Sequence, residues 1–383
     1  MIANFTTVAG IATNPVGPEA VLPLAFNQGA WTGTASGPVF TAVPSGTFPF
    51  PIFVTTHNLA TPYAGEWNLN IQQQLSRGAA IEIGYVGSKG TRLTRLFDAN
   101  QDDINPNFGE IDTFATNSSS TYNALQVQAR FSNWHRFSGF SAYVFSKSLD
   151  GASDGIDFNF STAAFPQNSD DLKAEKGPST FDARHRWTTA LSYSVPVWGA
   201  LPPRLAQGWG WNTIVTVMSG QPIGIITGNG IVNADGSDNF HQRPDVVPGV
   251  NQIIGGNPAT NGYINPMAFA TPAGNFGNLG RDAVYGPGFW NIDFSVTKDT
   301  KLTERLNLQL RAEFFNIFNH PQFALPGGSI VPGAPTVAQV GFQQAFTACP
   351  GCFSTSTPDV AQGNPGLGGG GPRVIQFAAR LQF

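Results

Sequence analysis

The chain has 383 residues, a formal net charge of −4 and only 11% charged residues, where an ordinary soluble protein carries about 25%. That shortage argues against a typical soluble enzyme and against a charge-rich disordered chain. Lysine and arginine form no basic run, so nucleic acid is not an expected partner, and no apolar stretch is long enough for a transmembrane helix.

Residues 1–65 are rich in proline, glycine and threonine and read as a long loop, with a short hairpin around 30–42. The start, Met1-Ile2-Ala3-Asn4-Phe5-Thr6, lacks the basic region and apolar run of a signal peptide. From Trp67 onward the dominant signal is alternation with period two. Trp67, Leu69, Ile71 and Leu75 alternate with Asn68, Asn70, Gln72 and Gln74. Ile81, Ile83 and Tyr85 alternate with Glu82 and Gly84, and Leu125, Val127, Ala129 and Phe131 with Gln126, Gln128 and Arg130. The segment 137–147 is noisier, with Tyr143 and Phe145 on its apolar side. Alternation resumes in Trp187–Val195, Trp209–Val217, Trp290–Thr297, Leu306–Phe314 and Val374–Phe383.

This predicts nine strands of about ten residues, the length that crosses a bilayer when tilted, where a soluble sandwich prefers five or six. One face of each strand is apolar. The other carries Gln, Arg and Glu in mid-strand, which in a membrane barrel face a wet lumen. The connections alternate in length. Short ones fall at 76–78, 132–136, 197–208 and 299–304, and long ones at 97–120, 150–185, 228–288 and 317–373. Short periplasmic turns opposite long extracellular loops are the pattern of outer-membrane barrels. The tryptophans sort in the same way. Trp67, Trp187 and Trp290 sit next to long loops, and Trp134, Trp198 and Trp209 sit at or beside short turns, as two interfacial girdles would require. The expected fold is therefore all-β, an antiparallel transmembrane β-barrel segment forming an open partial barrel.

Motifs for chemistry are weak. Gly151-Ala152-Ser153-Asp154-Gly155 matches the nucleophile-elbow pattern, but that motif needs a buried strand before it and a helix after it, and here it opens a long loop. Asp150, Asp154 and Asp157, and separately Asp235 and Asp238, read as solvated loop acids. His57, His135, His185, His241 and His320 show no metal-ligand spacing, and no cofactor motif is present. Cys349 and Cys352 flank Pro350-Gly351 in a stretch without helical pattern, which suits a small loop-closing disulfide in an oxidising compartment better than a redox centre. Asp182, Arg184, His185 and Arg186 gather where a long loop enters a strand, as substrate contacts at the barrel mouth or as a salt-bridge set in the lumen. Arg311 and Glu313 project to one side of a strand, toward the lumen or an internal plug.

Several blocks also carry a family resemblance. They are Trp67-Asn68-Leu69-Asn70-Ile71-Gln72, Ile83-Gly84-Tyr85-Val86-Gly87-Ser88-Lys89-Gly90, Tyr122-Asn123-Ala124-Leu125-Gln126 and Tyr143-Val144-Phe145-Ser146-Lys147-Ser148. Further blocks are Phe181–Arg186, Ser219-Gly220-Gln221-Pro222, Arg243–Gly249, and Leu302-Thr303-Glu304-Arg305 through His320-Pro321. Over residues 65–383 the chain resembles the C-terminal barrel part of TonB-dependent receptors of the Oar-like group. The resemblance implies a cell outer-membrane protein that is not an enzyme, uses no cofactor, and serves energy-coupled uptake or surface binding of a large substrate. A structural, adhesion-type or passive porin role is the alternative. Phe383, with Leu381 and Phe377 on its face, resembles the signal read by the outer-membrane assembly machinery. Outer-membrane lipid is the other implied partner. The TonB complex would act only through a plug domain, which is not found in this sequence. The expected organisation is a loop-rich segment over 1–65, an extracellular loop of a truncated barrel, followed by barrel over 66–383.

Overall fold

A strand that alternates apolar and polar residues is stable only when one face meets an apolar phase and the other meets polar groups or water. The computed structural model shows how the chain meets that demand. It describes residues 50–101, 108–153, 165–197, 199, 202–226, 242–254, 263–272, 276–321 and 372–383. The expected hairpin at 30–42 and residues Trp198, Cys349, Cys352, Asp154, Asp157, Asp235, Asp238 and His241 lie outside them.

Among the described residues, nine long strands form one antiparallel meander. They are β2 (Tyr63–Ser76), β3 (Ala79–Asp98), β4 (Phe108–Trp134), β5 (Phe137–Asp150), β7 (His185–Ser194), β8 (Trp209–Met218), β13 (Phe289–Lys301), β14 (Asn307–Phe315) and β15 (Val374–Gln382). Each pairs with the next, in the order β15-β14-β13-β8-β7-β5-β4-β3-β2. Two short strands join this sheet: β1 (Phe50–Thr55), parallel to the outer part of β4, and β6 (Gly177–Pro178), against the end of β5. Small pairs of β9 (Pro222–Ile223) with β12 (Val284–Tyr285), and of β10 (Asp245–Val246) with β11 (Phe269–Ala270), stand within the long β8–β13 connection. Among the described residues, helix is confined to one turn, α1 (Pro203–Ala206), and a 3₁₀ turn at Pro266–Ala268. No helix among the described residues is long and apolar enough to cross a membrane.

The register carries both faces across the sheet. One outward row runs Ile71–Ile83–Val127–Tyr143–Trp187–Val217–Trp290 through seven strands. Nearer the turns, Phe131–Gly139–Leu191–Thr213–Phe294–Phe314–Ile375 continues the same face to the last strand. The opposite face holds Gln72–Glu82–Gln128 and Asn212–Ser295–Glu313–Gln376 in its rows. A sheet apolar on one side and polar on the other is what a lumen-bearing barrel wall requires.

Close strand approach at one point depends on glycine. Gly139 has φ +135°, and a Cβ there would meet the Ala190 carbonyl oxygen of β7. Gly139→Ala should therefore break the β5–β7 pairing, since neither backbone can yield without losing ladder hydrogen bonds. The expected result is a loss of the fast-migrating folded band on unheated gels. A folded fraction equal to wild type would refute the strain argument.

Two differences from the sequence reading have physical causes. Residues 97–120, read as a loop, are mostly strand: β3 and β4 continue as a hairpin well past the end of β5, with pairing from Asp98↔Asp112 onward. Register shifts between Thr91 and Leu93 and between Leu93 and Arg95 interrupt the alternation there, which erases the period-two signal without ending the strands. At 27 residues, β4 is about 90 Å long at ~3.3 Å per residue. A crossing needs only ~9–11 residues, so the hairpin rises far beyond the membrane-crossing zone. Second, the segment read as loop over 1–65 contributes β1 and the start of β2. The sheet is open among the described residues, with β2 and β15 at its edges.

Candidate functional site

The described connections between loop-end strand ends do not hang free. They fold into a cap with an apolar core and a knot of ion pairs. The core consists of Ile223, Ile225, Ile264, Ala268, Phe269, Leu279 and Val284, with Val246 and Tyr263 against it. These residues come from the β8–β13 connection, whose short strand pairs supply backbone partners for an otherwise loop-rich segment. Burial pushes the Tyr263 hydroxyl above its usual range, and that hydroxyl donates to the Tyr285 carbonyl at 2.9 Å.

The knot centres on Glu175 and Arg281. Glu175, fully buried, receives both terminal nitrogens of Arg243 at 2.7 and 2.9 Å. Arg281 is 3% exposed and pairs with Asp150, at the end of β5, and with its neighbour Asp282. Its Nε donates to the Glu175 carbonyl at 2.7 Å and its Nη2 to the Asp150 carbonyl at 2.7 Å. Arg95, on the β3 extension, donates to the carbonyls of Gly151 and Leu172. Gln167 ties the same region together, donating to the Gly277 carbonyl at 2.9 Å and accepting from the Arg243 amide at 3.1 Å. Planar guanidinium forks suit this task, because each can engage several acceptors in fixed directions. Burial holds the Arg95 guanidinium below its ordinary range; the Glu175 and Asp150 charges oppose this and the Arg281 charge adds to it. Burial likewise pushes the Asp282 carboxyl up to about 6 despite the adjoining Arg281.

The reading of Asp150 as a solvated loop acid is corrected here. Asp150 is 2% exposed and held by Arg281, because the turn after β5 folds under the cap. Ser153 is part of the same brace. Its hydroxyl donates to the Asp150 carboxylate at 3.0 Å and accepts from the Thr180 amide at 3.0 Å.

The polar cluster expected at 182–186 is divided by strand geometry. Asp182 is buried and accepts from the Ser148 amide at 2.7 Å, with Arg184 at 3.9 Å. Arg184 also reaches the Tyr285 hydroxyl at 3.5 Å. Once β7 begins, alternation takes over. His185 pairs with Phe145 on the outward face, where its Nδ1 lies 2.7 Å from the Tyr143 hydroxyl, and Arg186 pairs with Val144 on the inward face. Arg311 and Glu313 share the inward face at 3.3 Å. Trp67, Trp187 and Trp290 stand outward toward the loop end, and Trp134 and Trp209 outward at the turn end. Trp209 also donates to the Leu205 carbonyl at 2.7 Å and lies under Lys298. Phe137, Tyr193 and Trp211 join that lower aromatic group. Leu381 and Phe377 face outward on the β15 edge, and Phe383 is exposed at its end.

Glu175, Arg243, Arg281 and Arg95 had no assigned role at the sequence level. Their one signal was composition: in a chain this poor in charge, arginines and acids inside Gly/Pro-rich loops need buried partners.

A further buried carboxylate, Asp112, lies toward the tip of the β3–β4 hairpin. Asp98 and Asp112 stand directly opposite each other, and Asp98 accepts from the Asn100 and Ile111 amides at 2.8 Å each. Burial, and then the Asp98 charge, push the Asp112 carboxyl up to about 6. A carboxyl raised on folding favours the folded form below its ordinary range and loses that contribution as pH rises through about 6. The hairpin tip should thus open more readily at pH 7.5 than at pH 4, by on the order of 2 kcal/mol. Asp112→Asn should flatten that dependence. Amide exchange of residues 95–115, corrected for intrinsic rates, reads both, and an unchanged slope in the variant would refute the assignment.

With this geometry in place, comparison with known proteins gives the class. The chain belongs to the outer membrane beta barrel domain family, which matches residues 3–356, and this membership places it in the outer membrane. Among solved structures it is similar to the outer membrane transporter YddB from Escherichia coli, at a TM-score of 0.40 and 10% identity over 75% of this chain and 32% of that one. It is also similar to the ferric citrate transporter FecA in its unliganded form, at a TM-score of 0.34 and 14% identity over 68% of this chain and 27% of that one. The chain therefore spans a third or less of the length of those proteins. No curated protein sequence matches it.

Proposed function

We propose that the chain is the outer-membrane barrel part of a TonB-dependent receptor of the Oar-like group, serving energy-coupled uptake or surface binding of a large substrate. The observation that carries this reading is the braced cap over a two-faced sheet. A passive pore needs only the wall, whereas a receptor needs loops held rigid enough to present a binding surface. The sequence blocks from Trp67 to Pro321 support the receptor group. In this reading the short turns face the periplasm and the cap faces outward. Arg311, Glu313, Gln72 and Gln128 line the lumen, where a plug domain would lie and relay the TonB complex. Phe383, Leu381 and Phe377 engage the assembly machinery, and the aromatic girdle sits at the two lipid interfaces.

Two measurements test this. In a Cys349→Ser/Cys352→Ser background, Lys173→Cys at the cap should react with a membrane-impermeant maleimide on intact cells, and Thr303→Cys at a short turn should not. A deletion strain of the host and its complemented partner are then compared for accumulation of labelled oligosaccharides, peptides and ferric chelates. The receptor reading expects at least one cargo to accumulate only in complemented cells and to be lost on adding a protonophore. Accumulation indifferent to the protonophore would establish the passive pore instead.

A further inference from the structure

The upper part of the outward face carries charge where a barrel wall is otherwise apolar. Three rows approach the loop end in succession. The lowest is Leu69–Tyr85–Leu125–Phe145–His185, the next Trp67–Gly87–Asn123–Lys147, and the highest Gly65–Lys89–Thr121–Leu149. Lys89, Lys147 and His185 are all exposed. Lys147 is the diagonal neighbour of His185, since Phe145 pairs with His185 and Lys147 lies two residues farther along β5. Lys89 and Lys147 are separated by β4 and offset by two residues, which places their Cα atoms about 12 Å apart. Two lysine stems of that separation can close on one anionic group or hold two.

Neutral hydrogen-bonding groups fill the space between these cations. Asn123 accepts from the Tyr85 hydroxyl at 2.6 Å, which leaves its amide group as a donor. Thr121 stands beside Lys89. In the tautomer whose Nδ1 accepts from the Tyr143 hydroxyl, Nε2 carries the hydrogen and is a further donor. No carboxylate shares this stretch among the described residues: Glu66 pairs with Ser88 on the inward face, and Asp150 is buried against Arg281. Neither lysine has an ion pair among the described residues.

We propose that this patch binds the phosphate of an outer-leaflet lipid headgroup, with Lys89 and Lys147 as counter-charges and Asn123 and His185 as hydrogen-bond donors. Charge complementarity selects an anion. The row just beneath selects an amphiphile, because Leu69, Tyr85, Leu125 and Phe145 offer apolar surface directly below the cations, where the chains of a bound lipid would lie. The inference rests on the reading that the outward face meets lipid and that the cap lies outside the cell.

The full chain, reconstituted in phosphatidylcholine vesicles with a small fraction of diphosphorylated lipid A, provides the test. Lipid retained through purification is counted by native mass spectrometry, and insertion is followed separately by quenching of tryptophan with brominated phosphatidylcholine. Wild type should retain lipid A selectively. Lys89→Glu/Lys147→Glu should lower that retention about thirtyfold, with insertion unchanged. Lys89→Arg/Lys147→Arg should preserve it, and Arg305→Glu at a short turn should leave it intact. Inorganic phosphate at 10 mM should not displace the lipid. Equal retention by wild type and the double glutamate variant in inserted protein would overturn the proposal while leaving the barrel reading in place. Displacement by phosphate alone would overturn the choice of a lipid. Failure of the wild type to insert would overturn both.

Discussion

Replacing Arg281 by methionine is expected to release the loop cap while the nine-strand sheet stays assembled. The guanidinium is 3% exposed and joins three segments: Asp150 at the end of β5, the Glu175 carbonyl in the β5–β7 connection, and Asp282 beside it in the β8–β13 connection. Methionine fills similar volume but leaves two buried carboxylates without their cation. Removing one partner of a buried pair costs about 3–5 kcal/mol, mostly through the charge left behind. Asp282 is already pushed up to about 6 by burial, and losing Arg281 removes the largest influence that lowers it. Arg281→Lys should rescue only part of the loss, because one ammonium cannot span acceptors that the fork reaches from Nε and both terminal nitrogens. Adding Asp150→Asn and Asp282→Asn to Arg281→Met should recover stability, since the stranded charges are then gone. Hydrogen exchange should show protection lost in 165–184, 242–254 and 276–288, with the strands still protected and the folded band still heat-modifiable. Unchanged protection of those segments would mean that the apolar core around Ile225 and Phe269 holds the cap without the knot.

What the sequence disclosed and what it withheld follow one physical rule. The wall was legible because its constraint is local: each residue must face lipid or lumen, and that choice repeats every second residue. Trp187 and Trp290 could be assigned to one end before the register showed them in one row. The turns were legible because the alternation breaks only briefly between strands, as at 132–136, where His135 and Arg136 take positive φ and reverse β4 into β5. The cap was not legible, because its partners are chosen across distance. Nothing near Arg281 in sequence announces Asp150, which lies 131 positions away. The β3–β4 extension failed for another reason: its bulges break the alternation that would have marked it. The division of His185 from Arg186 was available all along, since neighbours on a strand must point to opposite faces. Grouping the four residues by their place where a long loop enters the strand overlooks that β7 begins at His185.

The alternation rule itself yields the second large effect, and adjacent residues provide its internal control. Val127 lies mid-row on the outward face between Ile83 and Tyr143, whereas Gln126 faces inward between Gly84 and Val144. On β4, Val127→Arg places a cation on the outward face between the row of Trp67, four residues away, and Trp134, seven residues away. At a bilayer midplane an outward arginine costs about 2–4 kcal/mol, and near an interface almost nothing. Gln126→Arg adds the same side chain one residue away, on a face that already carries Arg130 and Glu82 at 3.6 Å. Refolding into phosphatidylcholine vesicles should therefore drop sharply for Val127→Arg and hardly at all for Gln126→Arg, read as the urea midpoint of the folded band. A soluble sandwich gives the same ordering but shows it in detergent-free buffer as well as in lipid, because there the apolar face is a packed core. Equal tolerance of both arginines in vesicles would show that the row Ile71–Ile83–Val127–Tyr143–Trp187 does not meet lipid. The girdle, the lipid patch around Lys89 and Lys147, and the outward cap would then lose their common frame together, since all three depend on which face of β4 is turned to the membrane.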